Sequence, residues 1–396
     1  MVRPEDIRSM NALIDFAVDL RRDIHKHPET AFEEVRTASL VADRLRELGL
    51  EVHTGLAQTG VVGILEGRRP GPRTIGLRAD MDALFIREET GRPYQSTVDG
   101  KMHACGHDGH TAMLLGAAEY LTANNDFEGR VAFIFQPAEE SEGGARVMVE
   151  EGLFEQFPCD AVYGLHNLPG QPVGTFVTTR GPFCAAGDTW QVDFNGSGGH
   201  GAFPHKATDP TAALGAFLTA YQMIVARKVP PHDAAILSIG LIEGGHFSSP
   251  NIIPSTVRVR GTARSFQPAI RDILETGLRS VATDCAALHG CQADATYIRR
   301  YPPVVNHDAQ TDIAVAAAIR TAGQDAVEPD APTQGGSEDF SFMLQKVPGC
   351  FMMIGNGGGP DASFVHTPTY DFNDDVIPHG VAYWINVVGQ ELGSKT

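Results

Sequence analysis

Apolar residues return every three or four positions over residues 10–26 and again over 31–48, where Val35, Leu40, Val41, Leu45 and Leu48 mark one face before Gly49. Both stretches predict helices. Apolar runs follow at 61–65, 74–77, 131–135 and 161–165 and predict strands. A further helix is expected over 108–123, with Met113, Leu114, Ala117, Ala118 and Leu121 facing the sheet. From Gly187 the pattern reads strand 189–194, helix 208–227, strands 235–242 and 256–263, helix 268–288 and strand 292–298. That order is the split βαβ arrangement of a ferredoxin-like unit. Helices and short apolar strands, including 351–354, return after Tyr301. The expected class is therefore α/β: a mixed central sheet flanked by helices, built from residues 1–186 and 300–396 and interrupted by an inserted ferredoxin-like α+β domain at 187–299.

Polar residues matter by where they end these runs, because open α/β sheets bind ligands beyond the carboxyl ends of their strands. Asp80 and Asp82 follow the run 74–77. Glu139 and Glu140 follow 131–135 after the turn Gln136-Pro137-Ala138, and His166 closes the run that ends at Leu165. Cys105-Gly106-His107 stands just before the helix expected at 108–123. Thiolate, imidazole and carboxylate are the donors that divalent transition metals prefer, so these groups, with His366 far downstream, read as a metal centre. An extra glutamate beside the ligands supplies a base, which points to a metal-activated hydrolase. Each piece also has a plainer alternative. Cys105 and His107 could form a helix-start turn or a nucleophile pair, Glu139-Glu140 a solvated helix N-terminus, and His166 a hydrogen-bonded strand-end histidine.

Composition narrows the partners. With 396 residues, 42% hydrophobic and 20% charged, the chain is globular and long enough for more than one core. A formal net charge of -18 repels polyanions, so nucleic acid and anionic membranes are excluded as partners, while a small anionic substrate needs only one local cationic pocket. No apolar window is long enough to cross a bilayer. Arg3, Glu5, Asp6, Arg8, Asp15 and Asp19 break up the stretch in which a secretory signal would lie, so a cytoplasmic location is expected. Six cysteines at irregular spacing fit reduced thiols, and Cys105 alone has metal-binding neighbours.

Five segments carry a resemblance: Arg78-Ala79-Asp80-Met81-Asp82-Ala83-Leu84, Met102-His103-Ala104-Cys105-Gly106-His107-Asp108-Gly109-His110-Thr111, Gln136-Pro137-Ala138-Glu139-Glu140, Gly198-Gly199-His200-Gly201-Ala202 and Glu338-Asp339-Phe340. Together they resemble the dinuclear-metal amidohydrolases, the family of hippurate hydrolases, N-acyl-amino-acid deacylases and plant auxin-conjugate hydrolases, over nearly the whole chain. Phe85 departs from the family, which usually has proline there. The resemblance implies that Cys105, His107, Glu140, His166 and His366 bind two divalent metals, of which zinc, manganese, cobalt and nickel all suit mixed ligands. It implies that Glu139 is the general acid/base, taking a proton from the attacking water and handing it to the leaving amine. Asp82 is expected to orient a ligand from behind.

His103 and His110 flank the ligand pair and read as structural or orienting histidines. In the family, the histidine in the position of His200 reaches the reacting carbonyl, often from a partner subunit, so His200 is expected to donate to the oxyanion, with the inserted domain serving as lid and dimerisation surface. Arg264 and Asn251 are candidates for gripping the substrate carboxylate. The expected reaction is cleavage of an N-acyl amino acid by a homodimer or higher homo-oligomer. A dipeptidase or carboxypeptidase of the same wider fold is the alternative, and a catalytically silent metal-binding protein is the alternative outside enzymes.

Overall fold

The apolar runs of the first part of the chain meet in one eight-stranded mixed sheet. The computed structural model describes residues 1–140 and 142–393. The sheet order is Glu51–Leu56, Gly60–Glu66, Glu128–Gln136, Arg69–Asp80, Ala161–Leu168, Gly349–Gly355, Phe176–Val177 and Val327–Glu328. The four strands from Glu128–Gln136 to Gly349–Gly355 run parallel to one another, and each end of that block pairs antiparallel with the next strand outward. Parallel strands must be covered on both faces, which is why they read as unbroken apolar runs. Val131, Ala132, Phe133, Ile134 and Phe135 have no exposed surface. Truncating Phe133 to alanine would cost about 3–5 kcal/mol.

Helix His107–Ala123 is enclosed as well: Ala112, Met113, Leu114, Leu115, Ala117 and Ala118 are wholly buried. Helix Ile377–Glu391 is similarly apolar on most sides. The second predicted helix begins later than the pattern implies, at Val35, because Ala31 and Phe32 hold positive φ angles of 47° and 66°. Glu29 accepts the orphan N–H groups of Arg36 (2.9 Å) and Thr37 (2.8 Å) at its start. Strand Glu51–Leu56 has no apolar signature, since nearly all of it is exposed or half-exposed.

The chain divides into two compact units: Met1–Phe183 with Val305–Pro332 and Asp339–Thr396, and Cys184–Val304 with Thr333–Glu338. The second contains a four-stranded antiparallel sheet in the order Ala235–Gly244, Thr256–Ser265, Ala186–Asn195, Gln292–Tyr301, with helix Pro268–Leu288 packed on it. The helix expected over 208–227 is two helices, Pro210–Ala220 and Gln222–Lys228. It starts at Pro210 because Asp209 caps it, accepting the N–H of Thr211 at 2.8 Å. Segment Thr333–Glu338, which the sequence pattern leaves with the main domain, belongs to the second unit. There the N–H of Ala185 donates to the carbonyls of Gln334 (3.0 Å) and Gly336 (2.9 Å). Among the described residues no helix is long and apolar enough to cross a membrane.

Candidate metal centre

Three parallel strands and one helix start deliver polar groups to one edge of the large sheet. Asp80 ends its strand opposite Gln136, and His166 pairs in register with Met353 near the end of its own strand. Between them the chain turns into helix His107–Ala123 through Gly106, whose φ of 95° lies in the left-handed region. A Cβ there would stand 2.3 Å from Nδ2 of Asn167 and 2.5 Å from the hydroxyl of Tyr370. Glycine is needed on both counts. The gain is a sharp corner that presents Cys105 and His107 side by side.

The donors converge. Ligand atoms of Cys105, His107 and His166 lie within 4.8 Å of one another, as do those of Cys105, Glu140 and His366, and those of His107, Glu139 and Glu140. Sγ of Cys105 is 3.4 Å from Nε2 of His166, and Nε2 of His366 is 3.0 Å from Oε1 of Glu140. His366 arrives from far along the chain on a residue with φ of 64°, its N–H donating to the carbonyl of Ala104 at 2.7 Å. Asp82 touches two candidate ligands. Its Oδ1 is 3.1 Å from Nδ1 of His107, and its Oδ2 accepts the N–H of Glu140 at 3.0 Å.

Hydrogen bonding fixes which nitrogens can act as ligands. Nδ1 of His166 lies 2.7 Å from the carbonyl of Asn167, so it carries the proton and leaves Nε2 a lone pair toward Cys105. Nδ1 of His107 faces Asp82, and its Nε2 is buried without a hydrogen-bond partner. Such an orphan is rare in a folded interior and is the position a cation would take. His110, three residues on, differs. Its Nε2 accepts the N–H of Asn167 (3.0 Å) while Nδ1 donates to Asp80 (2.6 Å), so both nitrogens are used within the protein. His103 is buried with neither nitrogen hydrogen-bonded, and burial pushes its pKa down to about 3.

The electrostatics are those of an anionic pocket. Burial opposes a charged His107, but Asp80, Asp82 and Glu140 outweigh it and push its pKa up to about 10. Burial, then Glu140 and Glu139, drive the Cys105 thiol well above its usual range. Burial, with the neighbouring His110, holds His166 well below the ordinary histidine value. Burial would raise Asp80, yet Arg78 followed by His107 and His110 holds it well below the carboxylate range. Burial would likewise raise Glu140, and His366 with His107 lowers it. A pocket rich in carboxylates that protonates its imidazole and thiol is one in which divalent cations can displace those protons.

Two positions that shape the pocket, Asn167 and Arg78, receive no role from the sequence. Asn167 donates to the carbonyl of Cys105 at 2.5 Å and accepts the hydroxyl of Tyr370 at 2.7 Å. Arg78 reaches Asp80 (2.8 Å), Gln136 (2.7 Å) and Asp339 (3.1 Å). The signals available there are adjacency to His166 for Asn167 and, for Arg78, its place at the head of the segment that holds Asp80 and Asp82. Phe85, three residues past Asp82, is 70% exposed with Nζ of Lys101 5.5 Å from its ring centre.

His200, Asn251 and Arg264 belong to the second unit. His200 is exposed and pairs with Ile252, and its Nδ1 accepts the N–H of Ala202 at 3.1 Å, which leaves the ring proton on Nε2. Arg264 is half-buried, donating to the hydroxyl of Thr262 and, at 2.9 Å, to the carbonyl of Ala263. Asn251 is exposed and its carbonyl accepts the N–H of Gly201 at 2.7 Å.

The chain is similar to known proteins over most of its length. The model of peptidase family M20/M25/M40 matches residues 76–390. A hippurate hydrolase of Campylobacter jejuni is 37% identical over 365 residues, covering 92% of this chain and 94% of the relative. An N-acetylcysteine deacetylase of Bacillus subtilis is 36% identical, covering 93% and 94%. The crystal structure of a dinuclear metal binding peptidase of family M20 from Bacillus subtilis superposes with a TM-score of 0.82 at 34% identity, covering 96% of this chain and 98% of that one.

Proposed function

This chain belongs to peptidase family M20/M25/M40, and on that premise we propose that it hydrolyses the amide bond of N-acyl amino acids, giving a carboxylate and a free amino acid. The observation that carries the reading is the cluster of Cys105, His107, Glu140, His166 and His366, with the orphaned Nε2 of His107 inside it and the carboxylate of Glu139 alongside. We assign those five residues as ligands of two divalent cations, the Cys105 thiolate being common to two of the donor sets. Zinc, manganese, cobalt and nickel all suit such mixed donors. Bound cations supply Lewis acidity, which polarises a carbonyl and lowers the pKa of water.

The chain's own groups do the rest. Glu139, buried to 6% exposure, removes a proton from the water as its oxygen bonds to the amide carbon, then delivers that proton to the nitrogen as the C–N bond breaks. Asp82 holds His107 through Nδ1 so that Nε2 stays aimed at the cluster, and it fixes the Glu140 peptide at the same time. His200, with its ring proton on Nε2, is assigned as the oxyanion donor, and Arg264 with Asn251 as the carboxylate grip.

The active species is read as a cytoplasmic homodimer formed through the second unit. Strand Ala235–Gly244 is the outer strand of its sheet, and Ile236, Leu241 and Ile242 on it are 47%, 42% and 51% exposed, an edge that a second copy would cover. The test is metal analysis joined to a panel of N-acetyl, N-benzoyl and longer N-acyl amino acids, comparing wild type with Glu139→Gln. Release of free amine by the wild type and its loss in the variant at unchanged metal content is expected. Hydrolysis that persists in the variant would rule out the assigned mechanism.

A further inference from the structure

Glu34 is a carboxylate with no exposed surface that stands outside the cluster of candidate ligands. Its Oε1 accepts the N–H of Phe32 (3.1 Å) and of Ala138 (3.1 Å), and its Oε2 accepts the hydroxyl of Thr59 (2.8 Å). Both backbone donors come from residues in the left-handed region, with φ of 66° at Phe32 and 53° at Ala138. For residues that carry a side chain this conformation costs about 1–3 kcal/mol and persists only where the surroundings impose it. The Ala138 carbonyl is tied as well, accepting the N–H of Gly144 at 3.0 Å. Ala138 directly precedes Glu139.

Burying a carboxylate is unfavourable unless donors surround it, and burial followed by the charge of Asp82 pushes the Glu34 carboxyl above its usual range. An apolar side chain could fill the same space without that cost. What the carboxylate adds is direction, since it fixes the orientation of one particular peptide unit. We propose that Glu34 is a positioning residue, locking Ala138 in its left-handed conformation so that the chain leaves the strand end with Glu139 aimed into the metal centre. The assignment rests on Glu139 being the proton-transfer group, as read above. Glu34 touches neither substrate nor the reacting atoms and acts through the Gln136-Pro137-Ala138 turn.

The test measures kcat, KM, cation content and melting temperature for wild type, Glu34→Gln and Glu34→Ala, each alone and combined with Glu139→Gln, on one N-acyl amino acid that the wild type hydrolyses. Glu34→Ala is expected to lower kcat about 100-fold, the scale of a misplacement of about 1 Å, with KM and cation content essentially unchanged. Glu34→Gln keeps an acceptor for both amides and recovers most of the rate. In the Glu139→Gln background, Glu34→Ala causes no further loss, because the two residues act as one unit. Losses that multiply across the two positions, an undiminished kcat in folded Glu34→Ala, or a fall in cation content that moves the role to Glu140 would each overturn the proposal.

If Glu34→Ala does not fold, Glu34→Asp carries the test: it keeps the charge but shortens the reach to the Ala138 N–H, so kcat should fall with cations retained, and a wild-type rate overturns the idea. A wild type that turns over no N-acyl amino acid refutes the proposed substrate class and this assignment with it. An active wild type with indifferent Glu34 variants refutes only the positioning.

Discussion

His107 and Asp108 are neighbours in sequence and face two buried polar regions that solve the same problem in opposite ways. On the Asp108 side lies His25, fully buried, with Nδ1 2.8 Å from Oδ2 of Asp108 and Nε2 3.3 Å from Oε1 of Glu88. Burial alone would lower its pKa, but the hydrogen bonds to Asp108 and Glu88 raise it to about 9, so the ring is a closed, doubly bonded imidazolium. On the His107 side one ring nitrogen is held by Asp82 and the other has no hydrogen-bond partner. The first region spends its charges on one another and holds the fold. Atoms without a hydrogen-bond partner occur on both sides, Oδ1 of Asp108 among them, so what sets the second region apart is its donor set: a thiol, imidazoles and carboxylates within reach of one another.

Substitutions in the open region have the largest expected effects. His107→Gln should reduce cation content, measured by elemental analysis, and bring amide hydrolysis to background, because it removes the orphaned donor. Glu139→Gln should cut kcat by about 10²–10⁴-fold, the usual weight of general acid/base catalysis, while cation content stays at the wild-type level. His25→Gln should do the reverse, sparing cation content and lowering stability by an amount on the order of 3 kcal/mol near neutral pH. The sign follows from its raised folded pKa. The stabilisation is fully present below the unfolded value of about 6.5 and is lost as pH rises through about 9, so wild-type melting temperature should decline over that window and the variant's should decline less. Phe85→Ala, outside both regions and mostly exposed, should move stability by no more than about 0.5 kcal/mol in a denaturant titration.

What could be read in the sequence follows from this contrast. Apolar runs marked the four parallel strands because those strands are buried on both faces, and most candidate donors stood out because they follow such a run or stand at a helix start, whereas His366 lies in a loop and only the family resemblance singled it out. Strand Glu51–Leu56, mostly exposed, left no pattern. Gly106 shows in the sequence only as the middle of Cys-Gly-His, without its left-handed turn, and Asn167 and Tyr370, which crowd it, meet across 203 residues through a single 2.7 Å hydrogen bond. Glu34 reads as one more acidic residue in a helix start. Its importance lies in a turn 104 residues away that no local spacing announces. Segment Thr333–Glu338 joins the second unit through backbone carbonyls, which carry no sequence signal at all.

Strand Gly349–Gly355 sits between Ala161–Leu168 and Phe176–Val177, although about 170–180 residues of chain separate it from them. A ribosome making this protein therefore completes the whole ferredoxin-like insertion while the principal sheet still has a gap in its middle. His366 emerges later still. The five candidate donors therefore cannot gather before His366 has left the ribosome, and until Gly349–Gly355 arrives one side of Ala161–Leu168 is an unpaired sheet edge.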